Sequence, residues 1–181
     1  MIEKIIEFNN EFVKQHKYIE HQTESKFPTK RIAILSCMDT RLTALLPAAL
    51  GIKDGDCKII KNAGAVISHP YGSVVRSLLI AIYELGVEEI MVIGHTDCGV
   101  GYIDVSTLVS KMKQRNISEE KIEMIKYCGV DFDRWLGGFE CVEQSVGESV
   151  QLLKKHPLIP QDVVIRGFVM DIETGKLEEV E

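Results

Sequence analysis

Apolar residues fall along this chain in two patterns, short unbroken runs and stripes that recur every three or four positions. The runs are Arg31-Ile32-Ala33-Ile34-Leu35-Ser36, Cys57-Lys58-Ile59-Ile60, Glu89-Ile90-Met91-Val92-Ile93 and Val163 to Met170. A run that is apolar at both alternating positions suits a strand covered on both faces, as in parallel sheets. The stripes predict helices over Leu42 to Leu50, with Pro47 limiting or kinking it, and over Tyr71 to Leu85. In the second of these Val74, Val75, Leu78, Leu79, Ile82 and Leu85 share one face, and Gly86 supplies the C-terminal cap. Further helical patterns cover Val100 to Asn116, a stretch opened by Ser118 as N-cap, and Glu140 to Lys155. Val130 to Gly138 reads as a loop or short helix with Trp135 as its aromatic anchor, and Asp171 to Lys176 as a hairpin turn into a short exposed strand, Leu177 to Val180. Strands alternating with helices predict an α/β fold. It has a mostly parallel central sheet, about four parallel strands plus an antiparallel edge strand, flanked by helices.

The first residues need separate treatment. Ile2, Ile5, Ile6, Phe8, Phe12, Val13 and Ile19 lie at helical spacing with no breaker until Pro28. One long amphipathic helix or two short ones would make an N-terminal helical arm over 1–26. Simple strand–helix winding gives such an arm no sheet face, so it either crosses onto a partner subunit or caps its own core.

Length and charge narrow the classes. A chain of 181 residues fits one domain, 1–181, with a full core. A net charge of −6 without a basic block argues against a nucleic-acid partner. No apolar run approaches the roughly 20 residues of a membrane span. The start, Met1-Ile2-Glu3-Lys4-Ile5-Ile6-Glu7, has neither the basic opening nor the apolar centre of a signal peptide, so a cytoplasmic location is expected. The five cysteines are then reduced thiols or metal ligands rather than a disulfide framework. Cys57 and Cys141 read as small buried residues, and Cys128 as the same or a surface thiol.

Chemistry gathers at the ends of two runs. The strand 31–36 opens into Cys37-Met38-Asp39-Thr40-Arg41, and the strand 89–93 into Gly94-His95-Thr96-Asp97-Cys98-Gly99. Two parallel strands releasing Cys37, His95 and Cys98 at one edge would build a Cys2His site with a fourth position left for solvent, the arrangement of a catalytic rather than a structural zinc. Taken singly, each is better explained as a core thiol or a satisfied buried histidine. Together, two thiolates and an imidazole suit Zn2+ best. Two thiolates cancel the ion's charge, so bound water is acidified less than in a three-histidine site, and activity should rise toward alkaline pH. Asp39 and Arg41, two apart in one turn, form a dyad with three open roles: orienting solvent at the metal, pinning the loop, or releasing Asp39 as a fourth ligand that closes the site. Lys61-Asn62-Ala63-Gly64 either cradles an anion with backbone N–H groups or serves close packing. Asp97 receives no role.

Cys37-x-Asp39-x-Arg41 followed by His95-x-x-Cys98-Gly99 resembles the β-class carbonic anhydrase family. The likeness extends through Lys61-Asn62-Ala63-Gly64 and through Arg166-Gly167-Phe168-Val169-x-Asp171 with Thr174-Gly175, and the short length is similar to the compact, archaeal-like branch. The resemblance implies zinc on Cys37, His95 and Cys98, with Asp39 and Arg41 as the catalytic dyad. It implies hydration of CO2 to bicarbonate and a proton, with zinc-bound hydroxide as the nucleophile. It also implies a homodimer or higher homo-oligomer, the site near the subunit interface and the N-terminal helix reaching over the neighbour. Asn62, Gly64 and Gly99 are the candidate substrate contacts, and His69 a candidate proton acceptor. Two alternatives stay open: a carbonyl sulfide or carbon disulfide hydrolase on the same site, and a non-catalytic zinc-binding interaction module.

Overall fold

In the computed structural model, which describes residues 1–180, the apolar runs are the strands of one five-stranded sheet. Strand β1 (Ile32–Cys37) is an interior strand, buried almost from end to end. It pairs in parallel with β2 (Cys57–Asn62) on one side and β3 (Glu89–His95) on the other. Strand β4 (Val164–Met170) runs parallel to β3, and β5 (Leu177–Val180) antiparallel to β4, giving the order β2-β1-β3-β4-β5. β2 continues two residues past the expected end at Ile60, because Lys61 and Asn62 still find partners in Ser36 and Cys37.

The chain leaves β1 for one side of the sheet and β3 for the other. In open sheets such a reversal of winding leaves a crevice above the carboxyl ends of the two strands. Cys37 is the last residue of β1 and His95 the last of β3.

Alternation along the strands divides the core. Ala33, Leu35, Ile90 and Val92 face helices α3 (Ser73–Leu85) and α7 (Val142–Lys154), meeting Val75, Leu78, Val146, Val150 and Leu153. Ile34, Ile93 and Phe168 face the other way, onto Leu42 and Leu46 of α2 (Leu42–Ala49). Helix α7 lies close against the sheet because β3 and β4 carry glycines beneath it. A Cβ on Gly94 would stand 2.7 Å from Val142 Cγ2, and one on Gly167 would stand 2.7 Å from Val146 Cγ1.

Several local expectations are corrected. The helical stretch from Val100 is two pieces, a 3-10 turn (Gly99–Tyr102) and α4 (Val105–Gln114). Asp104 restarts it by accepting a hydrogen bond from the Thr107 N–H. Helix α5 (Glu119–Tyr127) is capped as expected, Ser118 accepting from the Lys121 N–H. In α6 (Phe132–Leu136) the buried anchor is Phe132, while Trp135 is 54% exposed and only meets the Phe132 edge. Cys141, expected inside, is exposed at the N-cap of α7 and donates to the Glu143 carboxylate. An N-cap side chain points back off the helix end rather than into the sheet.

The N-terminal stretch is two short pieces, α1 (Ile2–Lys14) and a 3-10 turn (Lys17–His21), separated where His16 takes a left-handed φ of 56°. No residue of either piece is buried. The arm therefore does not cap its own core.

Candidate metal centre

The crevice brings Cys37, His95 and Cys98 together. Their ligand atoms all lie within 4.8 Å of one another, and the two sulfurs are 3.8 Å apart. Two sulfurs bound tetrahedrally at about 2.3 Å from one zinc would be separated by about 3.8 Å, so the spacing fits the ion without rearrangement. All three side chains are buried. The His95 Nδ1 donates to the Thr96 carbonyl at 2.8 Å, which leaves the Nε2 lone pair as the free ligand atom. Nε2 is buried and has no hydrogen-bond partner among the described residues. A buried orphan nitrogen beside two thiols is a deficit that a cation removes.

The charges agree with this. Burial pushes both thiols up. At Cys37 the His95 ring, when protonated, and the backbone N–H groups of Asp39 and Gly64 outweigh burial and draw the thiol down. At Cys98 burial prevails, reinforced by the negative charge of Cys37. One thiolate forms readily and then opposes the second. A divalent cation shared by both sulfurs lifts that opposition.

The loop carrying His95 and Cys98 is stitched to the end of β4. The Thr96 N–H donates to the Met170 carbonyl, and Thr96 Oγ1 accepts from the Ile172 N–H, both at 3.0 Å. Thr96 thus orients His95 and fixes the loop. On the other flank the Gly64 N–H donates to Cys37 Sγ at 3.3 Å. Gly64 holds a φ of 77°, and a Cβ there would press on Phe139, Val100 and Val66 at 3.1–3.2 Å. The small residue thus lets a backbone donor reach a ligand sulfur, a use that neither an anion cradle nor helix packing anticipates.

Asp39 and Arg41 form the expected pair in fork geometry. Arg41 Nε donates to Asp39 Oδ1 at 3.0 Å and Nη2 to Oδ2 at 2.9 Å, while the Arg41 backbone N–H also reaches Oδ1. These bonds hold the Asp39 carboxyl down to about 2. Its Oδ2 lies 3.9 Å from His95 Nε2, so the carboxylate stands at the rim of the ligand group. The far side of the guanidinium is taken by Asp97, through its side chain and its main-chain carbonyl. Nothing in the sequence around Asp97 signals this. It becomes visible only when the loops after β1 and β3 are neighbours.

A cleft of about 300 Å³ opens on the group, with Ala63, Gly99 and Val100 among its lining beside Cys37, Asp39 and Cys98. Gly99 is therefore at the site. Asn62 is adjacent but turned into its own loop, its amide donating to the Val66 carbonyl while its Oδ1 stays unpartnered. His69 is exposed and outside that lining, its Nδ1 accepting from the Tyr71 N–H. Cys57 and Cys128 also take no part.

Comparison with known proteins agrees with this geometry. The carbonic anhydrase family profile matches residues 32–177. The chain is 53% identical to the putative carbonic anhydrase YtiB of Bacillus subtilis, over 98% of this chain and 95% of that protein. It is 31% identical to a carbon disulfide hydrolase of Acidithiobacillus thiooxidans, over 82% of this chain and 76% of that protein. The crystal structure of β-carbonic anhydrase isoform I from Trichomonas vaginalis superposes with a TM-score of 0.90 at 34% identity, covering 99% and 97% of the two chains. With the profile spanning residues 32–177 and the fold shared throughout, the chain belongs to the β-carbonic anhydrase family.

Proposed function

We propose that this protein catalyses the reversible hydration of CO2 to bicarbonate and a proton, with Zn2+ held by Cys37, His95 and Cys98. The observation that carries the reading is the buried, unpartnered His95 Nε2 beside two free thiols and an arginine-held carboxylate. Zinc, when bound, supplies the Lewis acidity that makes solvent nucleophilic near neutral pH. The chain's own residues do the rest. Asp39 is ionised and fixed by Arg41, so Oδ2 accepts a hydrogen bond from solvent in the cleft and orients it without donating. Ala63 and Val100 give the cleft apolar walls suited to a small uncharged substrate, and Gly99 leaves room beside the sulfur of Cys98.

The test is stopped-flow CO2 hydration by zinc-loaded protein across pH. With the ion's charge cancelled by two thiolates, the rate is expected to climb from neutral into alkaline solution. Asp39 contributes nothing to that rise, because its carboxyl is depressed to about 2 and stays ionised throughout. A profile flat from neutral to clearly basic pH would remove solvent activation by the metal as the basis of the reaction. The identity with a carbon disulfide hydrolase favours one second reading, hydrolysis of carbon disulfide or carbonyl sulfide at the same site. Turnover of carbonyl sulfide far above that of CO2 would select it.

The same reading includes pairing with a second copy. Ile2, Ile5, Ile6, Phe8 and Val13 of α1 are each more than half exposed. An apolar stripe of this kind left in water is an association surface. Sedimentation of the wild type should give a dimer or larger, and Ile5→Lys/Phe8→Lys a smaller species. An unchanged size in the double variant would show that α1 is not the contact.

A further inference from the structure

Arg41 sits between two acids carried by different loops. Nε and Nη2 take Asp39, while Nη1 donates to Asp97 Oδ2 at 2.8 Å and Nη2 also reaches the Asp97 carbonyl oxygen at 2.9 Å. Asp97 follows β3 and adopts a left-handed φ of 52°, a conformation that Asp, Asn and Gly tolerate better than other residues. Its side chain is 63% exposed, and an ion pair so open to water adds little to fold stability. What the contact does supply is a second anchor for the guanidinium.

We propose that Asp97 is a positioning residue that pins Arg41 from the side opposite Asp39, and so keeps the Asp39 carboxylate off the fourth position of the Cys37–His95–Cys98 site. This rests on the metal-centre reading above. Asp39 and Arg41 are two residues apart in one turn. An arginine tethered only to Asp39 could follow the carboxylate as it swings, preserving both fork bonds. An arginine tied to the loop after β3 cannot follow, so Asp39 must give up both bonds to move inward. The displacement in question is short, since Oδ2 already lies 3.9 Å from His95 Nε2. Removing Asp97 therefore shifts the site toward a state in which Asp39 competes with any exogenous ligand.

The test is a thiocyanate titration of the full-length, cobalt-substituted protein, read through the visible absorption of the metal. Asp97→Gly keeps the left-handed backbone and its carbonyl contact with Nη2, and removes the carboxylate that anchors Nη1. It should weaken thiocyanate binding about tenfold, because only the fraction of sites free of Asp39 accepts the anion. Asp97→Asn retains an acceptor for Nη1 and should stay within about threefold of wild type. In an Asp39→Ala background, Asp97→Gly should not weaken binding at all, since no carboxylate competes. A pure charge effect has the opposite sign, as losing a nearby anion strengthens anion binding. Unchanged or stronger binding in Asp97→Gly, or equal weakening with and without Asp39, would overturn the proposal. Wild-type protein that gives no cobalt absorption would instead fail at the metal centre, and both readings would fall together.

Discussion

Cys98→Ser is expected to cost more than about a hundredfold in CO2 hydration and to leave the purified protein with little zinc. Altering an outer partner of a metal ligand typically costs about 10–100-fold in affinity or activity, and loss of a ligand itself exceeds that. The serine hydroxyl is nearly isosteric with the thiol but is not an anion near neutral pH, and its oxygen is a harder donor. Cys37 and His95 then remain as two ligands where the ion requires at least three from protein. The variant should fold, because Cys98 contributes one small side chain to a cluster otherwise built from Cys37, Ile34, Leu42, Leu46, Ile93, Phe168 and Met170. Elemental analysis beside the stopped-flow assay separates the two effects. A Cys98→Ser protein with full zinc and the wild-type rate would remove Cys98 from the ligand set, and catalysis would need another origin.

Gly94→Ala is expected to lower stability by about 1–3 kcal/mol, the usual cost of forcing atoms into a filled core. The new Cβ would stand 2.7 Å from Val142 Cγ2 and 2.8 Å from Val146 Cγ2, and both valines are stiff at their first torsion. Helix α7 must then lift from β3. In a chain of this length the melting temperature should fall by about 2–4 °C for each kcal/mol. Because Gly94 precedes His95, the displacement also reaches the ligand. The contrast is on the same helix: a Cβ at Gly147 meets nothing within 4 Å. Gly147→Ala should therefore stabilise by about 0.5–1 kcal/mol, through the lower helix propensity of glycine. Thermal unfolding of both variants decides the matter. Gly94→Ala as stable as wild type would mean that α7 does not rest on β3 at this point.

How much was legible beforehand follows from the range of each interaction. The strands were visible because a strand buried on both faces leaves an uninterrupted apolar run, and the helix caps because Ser118 and Gly86 act within their own turns. Cys37, His95 and Cys98 were readable because core packing alone rarely sets two thiols and an imidazole at the ends of two strands. Trp135 and Cys141 are more exposed than their residue types predict, for a common reason. Size and polarity describe a residue's preference, whereas position in a short helix or at an N-cap determines where its side chain points. Asp97, Thr96 and the Gly64 N–H escaped because each acts on a residue brought close only by the sheet order: Arg41, Ile172 and Cys37.

Residue order alone determined the alternation of strands and helices, the donor atoms at two strand ends, and the placing of Asp39 and Arg41 in one turn, since each is written in spacings of a few positions. The tertiary structure decided the rest. It placed β1 beside β3, brought two sulfurs to 3.8 Å, left His95 Nε2 without a partner and put Asp97 behind Arg41. The reason is that metal affinity and side-chain anchoring depend on separations of a few ångströms between segments roughly sixty residues apart. Local pattern carries no information about such distances until the sheet has chosen its neighbours.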